Sequence, residues 1–214
     1  MTAQAPSTAF TDAAATWDRR FSESGYLFGT EPNAWLREHA DQWHAGQRVL
    51  CVADGEGRNS VFLADRGLIV DAFDISEVGV RKARDFARIT GVKVNFAVAD
   101  VGRLAWPESL YDGVVAIFIQ FADPEMRRRI FHGMVRCLKP GGLLVLQGYT
   151  PRQLELRTGG PGIESHLYTA SQLRESFAGM EIVDLREYEA ELSEGAGHRG
   201  HSALAGLVAR KPLT

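Results

Sequence analysis

The sequence predicts an α/β fold with a doubly wound, mostly parallel sheet of seven strands, the last of which runs antiparallel. Short apolar runs alternate with helical patterns from residue 48 to about residue 146, which is typical of a parallel sheet covered by helices. A turn containing Gly55 and Gly57 follows the first apolar run and leads into a helical segment. Strand-like runs at 181–192 and 200–211 are separated by a loop too short for a helix, so they must pair as an antiparallel hairpin.

The N-terminal part has the least regular pattern. Residues 1–16 are rich in Ala and Thr and are expected to be mobile, and residues 17–33 are expected to be irregular but rich in aromatic side chains. Such aromatic residues either add packing or cover a pocket. We expect residues 1–33 to form a mobile cap over a bound cofactor, and residues 34–214 to form one domain that begins with a helix at 33–43.

Strands are predicted at 48–53, 68–73, 93–98 and 112–119, and helices at 58–66, 77–90 and 124–138. The last helix has a clear start, because Asp123 can cap it, Pro124 suits its first turn and Glu125 is favoured by the helix dipole. Residues 139–142 should end that helix and turn into a fifth strand at 143–146. A loop rich in Gly and Pro at 150–162 and a short helix at 171–177 precede the hairpin.

The bulk composition excludes several classes of protein. The 214 residues fit one α/β domain, and a net charge of −3 gives no general attraction to nucleic acid or to an anionic membrane. The basic run 127–129 lies in a helical pattern and should form a solvated face.

Cys51 and Cys137 lie within apolar patterns. We therefore expect both to be buried free thiols, as in proteins of a reducing compartment, rather than partners in a disulfide. No apolar run is long enough to cross a membrane, no signal peptide is evident and no Cys/His spacing indicates a metal site, so we expect a cytoplasmic protein.

The glycine-rich turn and Asp74, at the tip of the second strand, predict a nucleoside site. A dinucleotide-binding turn needs a third glycine, but Ser60 occupies that position, and Glu56 lies between the first two glycines. A carboxylate would repel a pyrophosphate but would suit a cationic ligand. S-adenosyl-L-methionine carries a sulfonium and an ammonium and no phosphate. The alternative is that the glycines only form a tight turn.

With these motifs in this order, the chain resembles the class I S-adenosylmethionine-dependent methyltransferases, and within them the tellurite-resistance and thiopurine methyltransferase branch. The resemblance covers roughly residues 17–211 and implies a methyltransferase that uses S-adenosyl-L-methionine. It also implies that Asp74 binds the ribose hydroxyls, that Ile75 packs against adenine, and that Asp100 with Val101 receives the adenine amino group. Taken alone, Asp100 would sooner be read as a turn-forming residue, but its place at the carboxyl end of a parallel strand favours a ligand contact. The stretches that carry the resemblance are 17–21, 26–33, 55–60, 138–142 and 158–161.

Two positions depart from the family pattern. Cys51 and Ala53 stand where the family usually has an acidic residue and a glycine. We therefore expect Asp54, within the turn, to take over the contact to the cofactor's ammonium group. The expected cofactor-binding set is completed by Trp17, Tyr26, Gly55, Gly57, Asn59 and Ile117.

The acceptor side is predicted from topology. Methyl transfer is an in-line displacement that needs alignment and exclusion of water, and a general base only if the nucleophile carries a proton. The hairpin loop must reach the carboxyl edge of the sheet, so His198, Arg199 and His201 are the candidate catalytic residues, either as an anion site or as a base. Alternatively, they are merely solvated.

The range of acceptors is narrowed by two absences. The fourth strand is not followed by the Asn-Pro-Pro-aromatic run of amino-methyltransferases, and no Pro-Cys pair supplies a cytosine C5 nucleophile. We therefore expect a small-molecule substrate, such as a thiol or a selenium or tellurium species, rather than nucleic acid or a membrane. The alternatives are a non-catalytic S-adenosylmethionine-binding module and, more weakly, an NAD(P)-dependent oxidoreductase.

Overall fold

The computed structural model describes residues 12–213 and contains one seven-stranded sheet. Its strands are β1 Arg48–Val52, β2 Ile69–Asp74, β3 Val94–Val98, β4 Tyr111–Ile117, β5 Leu138–Tyr149, β6 Glu181–Glu194 and β7 His198–Arg210. The spatial order is β3-β2-β1-β4-β5-β7-β6. Strands β1 to β5 are parallel, whereas β7 runs antiparallel to both β5 and β6. The predicted fold class is confirmed, including the terminal hairpin.

The helices are α1 Ala13–Phe21, α2 Ala34–His39, α3 Arg58–Asp65, α4 Glu77–Thr90, α5 Pro124–Cys137, α6 Gln153–Leu156 and α7 Ala170–Ser176. Helix α5 begins as the sequence predicts, since the Asp123 carboxylate accepts the Met126 N–H at 2.8 Å. The longest helices, α4 and α5, have 14 residues each, whereas a membrane span takes roughly 20. Within residues 12–213, no helix is long and apolar enough to cross a bilayer.

The N-terminal prediction is partly wrong, because residues 17–21 are helical rather than irregular. Asp12 caps α1 by accepting the Ala15 N–H at 3.0 Å. Trp17 and Phe21 lie four residues apart on one face and stack with their ring centroids at 5.3 Å. The predicted mobility of residues 1–16 lies largely outside the described residues, and residues 12–16 form the cap and first turn of α1.

Two further details differ from expectation. Residues 139–142, expected as a turn, belong to β5, whose pairing with β4 shifts register between Tyr111 and Gly113.

Arg127 was expected on a solvated face but is buried, because α5 turns it toward the C-terminal part of the chain. Its guanidinium donates to the Ser165 carbonyl at 2.8 Å and lies 5.7 Å from the Tyr168 ring.

The core lies on both faces of the sheet. Leu50 and Val52 of β1 face one hydrophobic cluster, and Val49 and Cys51 face the other, as the alternation of a strand requires. Cys51 and Cys137 are free and buried, as predicted, and burial raises the pKa of the Cys137 thiol to about 12. The carboxyl ends of the parallel strands meet at one edge, which the turn between β6 and β7 also reaches.

Candidate functional site

A cavity of about 550 Å³ opens at the carboxyl edge of the sheet, within the size range of small-molecule sites. The ends of β1, β2 and β3 line one half of it, through residues such as Asp54, Asp74 and Asp100. The other half is lined by residues that follow β4 and β5, by α1 and the loop after it, and by the β6–β7 turn. Their members are Trp17, Arg20, Phe21, Phe28, Phe118, Gln120, Phe121, Tyr149, Gly160, Pro161, Gly197 and His198.

The two glycines of the turn after β1 have different roles. Gly57 has φ of 90°, and a Cβ there would lie 2.8 Å from the Cβ of Ala83, so this glycine lets α3 approach α4 closely. Gly57 does not line the cavity. Gly55 does line it. Ala53, at the family's glycine position, also lies in the left-handed region, with φ of 49°.

The side chain of Glu56 does not face the cavity, contrary to the argument made from the sequence. Its carboxylate is buried, accepts the Leu27 N–H at 2.7 Å and lies 2.5 Å from the Lys82 ammonium. The Glu56 charge is therefore neutralised, and it fastens the N-terminal segment to the turn. It gives no support to the idea of a cationic ligand.

Asp74 organises the turn and also lines the cavity. One carboxylate oxygen accepts the Gly55 N–H at 2.9 Å, and the other accepts the Ser76 N–H at 2.9 Å. Burial raises the pKa of Asp74, while those backbone N–H groups oppose the rise. Each oxygen keeps a second lone pair, so the carboxylate can still accept hydrogen bonds from a diol. Ile75 follows it and lines the same cavity.

Asp54 is half-buried at the cavity wall and accepts a hydrogen bond from the Ser60 hydroxyl. Burial, reinforced by the charge of Asp74, raises the pKa of Asp54 to about 7. Ser60, at the position of a third glycine, thus positions a carboxyl group that titrates near neutrality. Such a pKa is common at functional sites.

Asp100 and Val101 line the cavity beyond the end of β3. One oxygen of Asp100 accepts the Gly102 N–H at 2.8 Å, which is the turn-forming role that the sequence left open. Its other oxygen lies 3.6 Å from the Arg103 guanidinium. Asp100 therefore forms a turn and also presents its side chain at the cavity wall.

His198 lies between two aromatic rings on the opposite side of the cavity. Its ring centroid is 4.4 Å from that of Phe28 and 4.2 Å from that of Phe118, with both pairs stacked. Its Nδ1 is 2.6 Å from the Tyr149 hydroxyl. Burial, together with the charges of Arg58 and Arg20, lowers the pKa of His198 to about 3. The imidazole is therefore neutral at physiological pH.

The other two candidate catalytic residues do not line the cavity. Side chains alternate along β7, so His198 points inward while Arg199 is exposed. His201 is also exposed, and its Nε2 lies 2.6 Å from the Glu189 carboxylate. Of the hairpin residues predicted for the acceptor side, the structure brings only His198 to the cavity.

Among the remaining predicted cofactor-binding residues, Trp17, Asn59 and Ile117 line the cavity. Tyr26 does not. Its ring packs against Phe86 with centroids 5.4 Å apart. That contact fastens the N-terminal loop to α4.

A buried ion pair beside the cavity was not predicted from the sequence. The Arg58 guanidinium lies 2.7 Å from the Glu194 carboxylate, and the two side chains are 8% and 9% exposed. Glu194 also accepts the Asn33 side-chain N–H at 3.0 Å. Arg58 Nη1 is buried and has no hydrogen-bond partner within the described residues. No sequence signal joins these residues, because Arg58 and Glu194 are 136 positions apart.

Tyr149, at the end of the fifth strand, also lines the cavity, as its place along the ligand-binding edge of the sheet favours. A separate group of possible metal ligands, Glu38, His39 and Asp184, comes together away from the cavity lining. Arg186 pairs with both carboxylates of this group. The guanidinium of Arg186 thus balances the negative charge of this group.

Comparison with known proteins shows what the central part of the chain is similar to. The family described as "Methyltransferase domain" matches residues 49–142. A demethylmenaquinone methyltransferase of Renibacterium salmoninarum is 33% identical over 109 residues, which are 49% of this chain and 42% of that protein. The tRNA N(3)-cytidine methyltransferase METTL2 of Danio rerio is 29% identical over 66% of this chain and 48% of its own length. The chain thus spans about half the length of these curated relatives.

Solved structures show the same fold over more of the chain. The structure described as "Conversion of a Disulfide Bond into a Thioacetal Group during Echinomycin Biosynthesis" has a TM-score of 0.77 at 19% identity, covering 94% of this chain and 93% of that one. TehB from Haemophilus influenzae has a TM-score of 0.68 at 20% identity, covering 84% and 62%. The N-methyltransferase NodS from Bradyrhizobium japonicum WM9, in complex with S-adenosyl-L-homocysteine, has a TM-score of 0.68 at 16% identity, covering 93% and 98%.

The matched segment contains Gly55, Asp74 and Asp100, which line the half of the cavity formed by the ends of β1, β2 and β3. Residues 49–142 thus match a methyltransferase domain, within a Rossmann-like fold that the chain shares with solved methyltransferase structures.

Proposed function

We propose that the protein is a cytoplasmic enzyme that transfers the methyl group of S-adenosylmethionine to a small-molecule nucleophile. The observation that carries the proposal is the convergence of Gly55, Asp74 and Asp100, from three successive strand ends, on one cavity that His198 also lines. Open α/β sheets bind ligands along this edge. The buried, unpaired thiols are consistent with a reducing compartment.

The cofactor half of the cavity suits the groups of S-adenosylmethionine. Asp74 would accept the ribose hydroxyls, Ile75 would pack against adenine, and Asp100 with Val101 would receive the adenine amino group. Asp54 would pair with the ammonium group. These three carboxylates, rather than Glu56, are what favour a cationic ligand here.

The N-terminal segment is proposed to cover the bound cofactor. Trp17, Phe21 and Phe28 line the cavity. Helix α1 is held in place by Asp18, which accepts the Val78 N–H at 3.1 Å and also the Ser76 hydroxyl. Exclusion of water by such a cover helps to align the acceptor with the methyl group.

A small molecule is favoured over nucleic acid as the methyl acceptor. The net charge is −3, and the acceptor half of the cavity is walled by aromatic side chains rather than by a broad basic surface. The fold similarity to TehB supports placing the chain near the tellurite-resistance and thiopurine branch. A thiol, a selenium or tellurium species, or a similar small nucleophile is therefore our proposed class of methyl acceptor.

The test is isothermal calorimetry with S-adenosyl-L-homocysteine, followed by an assay of label transfer from S-adenosylmethionine to an acceptor panel. We expect binding that Asp74→Ala abolishes and that Asp65→Ala, an exposed control at the far end of α3, leaves intact. No binding at millimolar ligand would refute the proposal, and an NADH titration would detect the oxidoreductase alternative. Binding with no transfer to any acceptor would favour the non-catalytic module.

A further inference from the structure

The acceptor half of the cavity carries an inference that rests on the proposed function and refines it. We infer that the methyl acceptor is a flat aromatic acid, of the phenol or thiophenol type, which binds as its anion, and that His198 serves it as a hydrogen-bond donor rather than as a general base. Shape, charge and hydrogen bonding each support this inference.

The shape of this half favours a planar, apolar ligand. Aromatic rings from four separate parts of the chain line it, namely Trp17, Phe28, Phe118, Phe121 and Tyr149. The single polar amide on this side, that of Gln120, is already used, because it donates to the Tyr149 carbonyl and accepts the Tyr149 N–H. Stacking and edge contacts with such rings stabilise flat ligands.

Charge is divided between the two halves. The three lining carboxylates, Asp54, Asp74 and Asp100, lie at or just beyond the ends of β1, β2 and β3. The acceptor half instead has Arg20, whose guanidinium lies 4.4 Å from the Trp17 ring and forms no salt bridge within residues 12–213. This half therefore attracts an anion and offers no carboxylate to a protonated amine.

Hydrogen-bond accounting determines which nitrogen of His198 carries the proton. Burial raises the pKa of Tyr149, so its hydroxyl keeps its proton. That O–H has no acceptor other than His198 Nδ1 in the described part of the chain. If Nδ1 were protonated instead, the buried tyrosine proton would be left without an acceptor, which is unfavourable for a group withdrawn from water. The Tyr149 hydroxyl therefore donates to Nδ1, and Nε2 carries the imidazole proton.

Nε2 is the polar atom of the ring that remains for a ligand. Phe28 and Phe118 cover the two ring faces, Tyr149 occupies Nδ1, and no described residue bonds to Nε2. An N–H at this position can donate to a negatively charged oxygen or sulfur. Because burial, together with the charges of Arg58 and Arg20, disfavours a second proton on the ring, His198 is poorly suited to remove a proton from the acceptor.

The reaction then balances without a protein base. The acceptor loses its proton to water before or during binding, and its anion attacks the methyl carbon. A new oxygen–carbon or sulfur–carbon bond forms as the bond from that carbon to the sulfonium breaks. The electron pair of the broken bond stays on sulfur, which gives S-adenosylhomocysteine and a neutral methyl ether or thioether.

The experiment uses 4-nitrophenol as the probe, because its phenol and phenolate forms absorb at different wavelengths. The protein is saturated with S-adenosylhomocysteine, and the bound probe is titrated with pH. We expect the pKa of bound nitrophenol to lie below that of the free compound by about one unit, a tenfold preference for the anion. Benzylamine, which is flat but cationic, should bind at least tenfold more weakly.

Substitutions of His198 distinguish its role as a hydrogen-bond donor from a role as a general base. His198→Phe should remove the pKa shift, whereas His198→Gln, which retains an N–H donor but cannot act as a base, should keep part of it. His201→Phe is the matched control on the outer side of β7 and should behave like the wild type. Melting temperatures and S-adenosylhomocysteine affinities establish that each variant is folded.

The inference is overturned if bound nitrophenol shows an unchanged or raised pKa, if His198→Phe keeps the full shift, or if benzylamine binds as tightly as nitrophenolate. Failure to bind nitrophenol while S-adenosylhomocysteine still binds would overturn this inference alone. Failure to bind S-adenosylhomocysteine would overturn the proposed function with it.

Discussion

The carboxylate of Asp74 accepts the backbone N–H of Gly55 at 2.9 Å, so the tip of β2 holds the turn that follows β1. A single buried side chain therefore shapes the backbone of this turn and also presents lone pairs to the cavity. The two roles make Asp74 the most informative residue to change. The same carboxylate accepts the Ser76 N–H that begins α4.

Asp74→Asn should weaken S-adenosylhomocysteine binding by roughly tenfold to a hundredfold, since a hydrogen bond to a charged group contributes about 1.5–3 kcal/mol. The amide oxygen of the new side chain can still accept the Ser76 N–H, so the fold should survive. Calorimetry measures the affinity and a thermal melt checks the fold. Equal affinities for the Asp74→Asn variant and the wild-type protein would remove Asp74 from the ribose site.

Asp54 should make both stability and cofactor affinity depend on pH. Its pKa is about 7 in the folded protein, above the ordinary value of 3.8, so the folded state binds the extra proton. Its stabilising contribution is fully present below about pH 4 and is lost as the pH rises through 7. Denaturant titrations from pH 4 to 8 should show this loss, and Asp54→Asn should remove it.

The cofactor's ammonium group favours the ionised form of Asp54, so affinity should change in the opposite direction to stability. S-adenosylhomocysteine should bind more tightly as the pH rises from 6 to 8, with release of protons. Calorimetry in buffers of different ionisation enthalpy detects that release. If Asp54→Asn shows the same pH dependence of affinity, another group is responsible.

Gly57→Ala should mainly lower the stability of the fold, whereas Gly55→Ala should mainly lower cofactor affinity. At Gly57 the new Cβ would lie 2.8 Å from the Ala83 Cβ and 3.0 Å from its Cα, and φ is 90°. We expect a loss of about 2–4 kcal/mol from overpacking and backbone strain. At Gly55 the nearest atom is the ring of Phe21, at 3.2 Å, which belongs to a side chain of the cap. Gly55→Ala should therefore cost less stability and more cofactor affinity, as melts and calorimetry can compare.

Asp18→Ala should loosen the proposed cap while leaving the domain folded. The change removes the acceptor that Ser76 and Val78 share, so α1 loses its hydrogen bonds to the start of α4. We expect faster dissociation of S-adenosylhomocysteine, by about tenfold, and a small change in melting temperature. Stopped-flow fluorescence of Trp17 measures the rate, and Glu23→Ala is a nearby exposed control. A large fall in melting temperature without a change in dissociation would make the segment structural.

Breaking the Arg58–Glu194 pair should destabilise the fold, because one buried charge would remain without its partner. Glu194→Leu leaves a buried guanidinium without its carboxylate and should cost about 3–5 kcal/mol. The double variant Arg58→Met with Glu194→Leu removes both charges and should recover much of that loss. Chemical denaturation measures both. Additive effects of the two changes would show that the pair is not coupled.

The sheet could be predicted because its signals are local. Each strand ends in a turn or an acid that is visible within a few residues, and the short loop between β6 and β7 leaves an antiparallel hairpin as the only outcome. Topology then places His198 at the same edge as Asp74, although the two residues are far apart in sequence. The half of the cavity lined by the ends of β1, β2 and β3 follows largely from this reasoning.

The other features of the site and of the N-terminal segment could not be predicted, because they depend on contacts between residues distant in the sequence or on patterns too short to recognise. The direction of the Glu56 side chain is set by Lys82 on another helix. Which of His198, Arg199 and His201 faces inward depends on the phase of β7 against β5, and a shift of one residue would exchange them. Helix α1 escaped prediction because its single stripe of Trp17 and Phe21 is too short to establish a period.

The order in which the site is completed has a consequence for biosynthesis. The glycine turn and Asp74 leave the ribosome early, but Glu194 and His198 are translated far later, and β7 must then insert between β5 and β6. Until that happens, the guanidinium of Arg58 has no counter-charge and the edge of β5 is open to other chains. Nascent polypeptides of this protein should therefore depend on chaperones until the final hairpin has emerged.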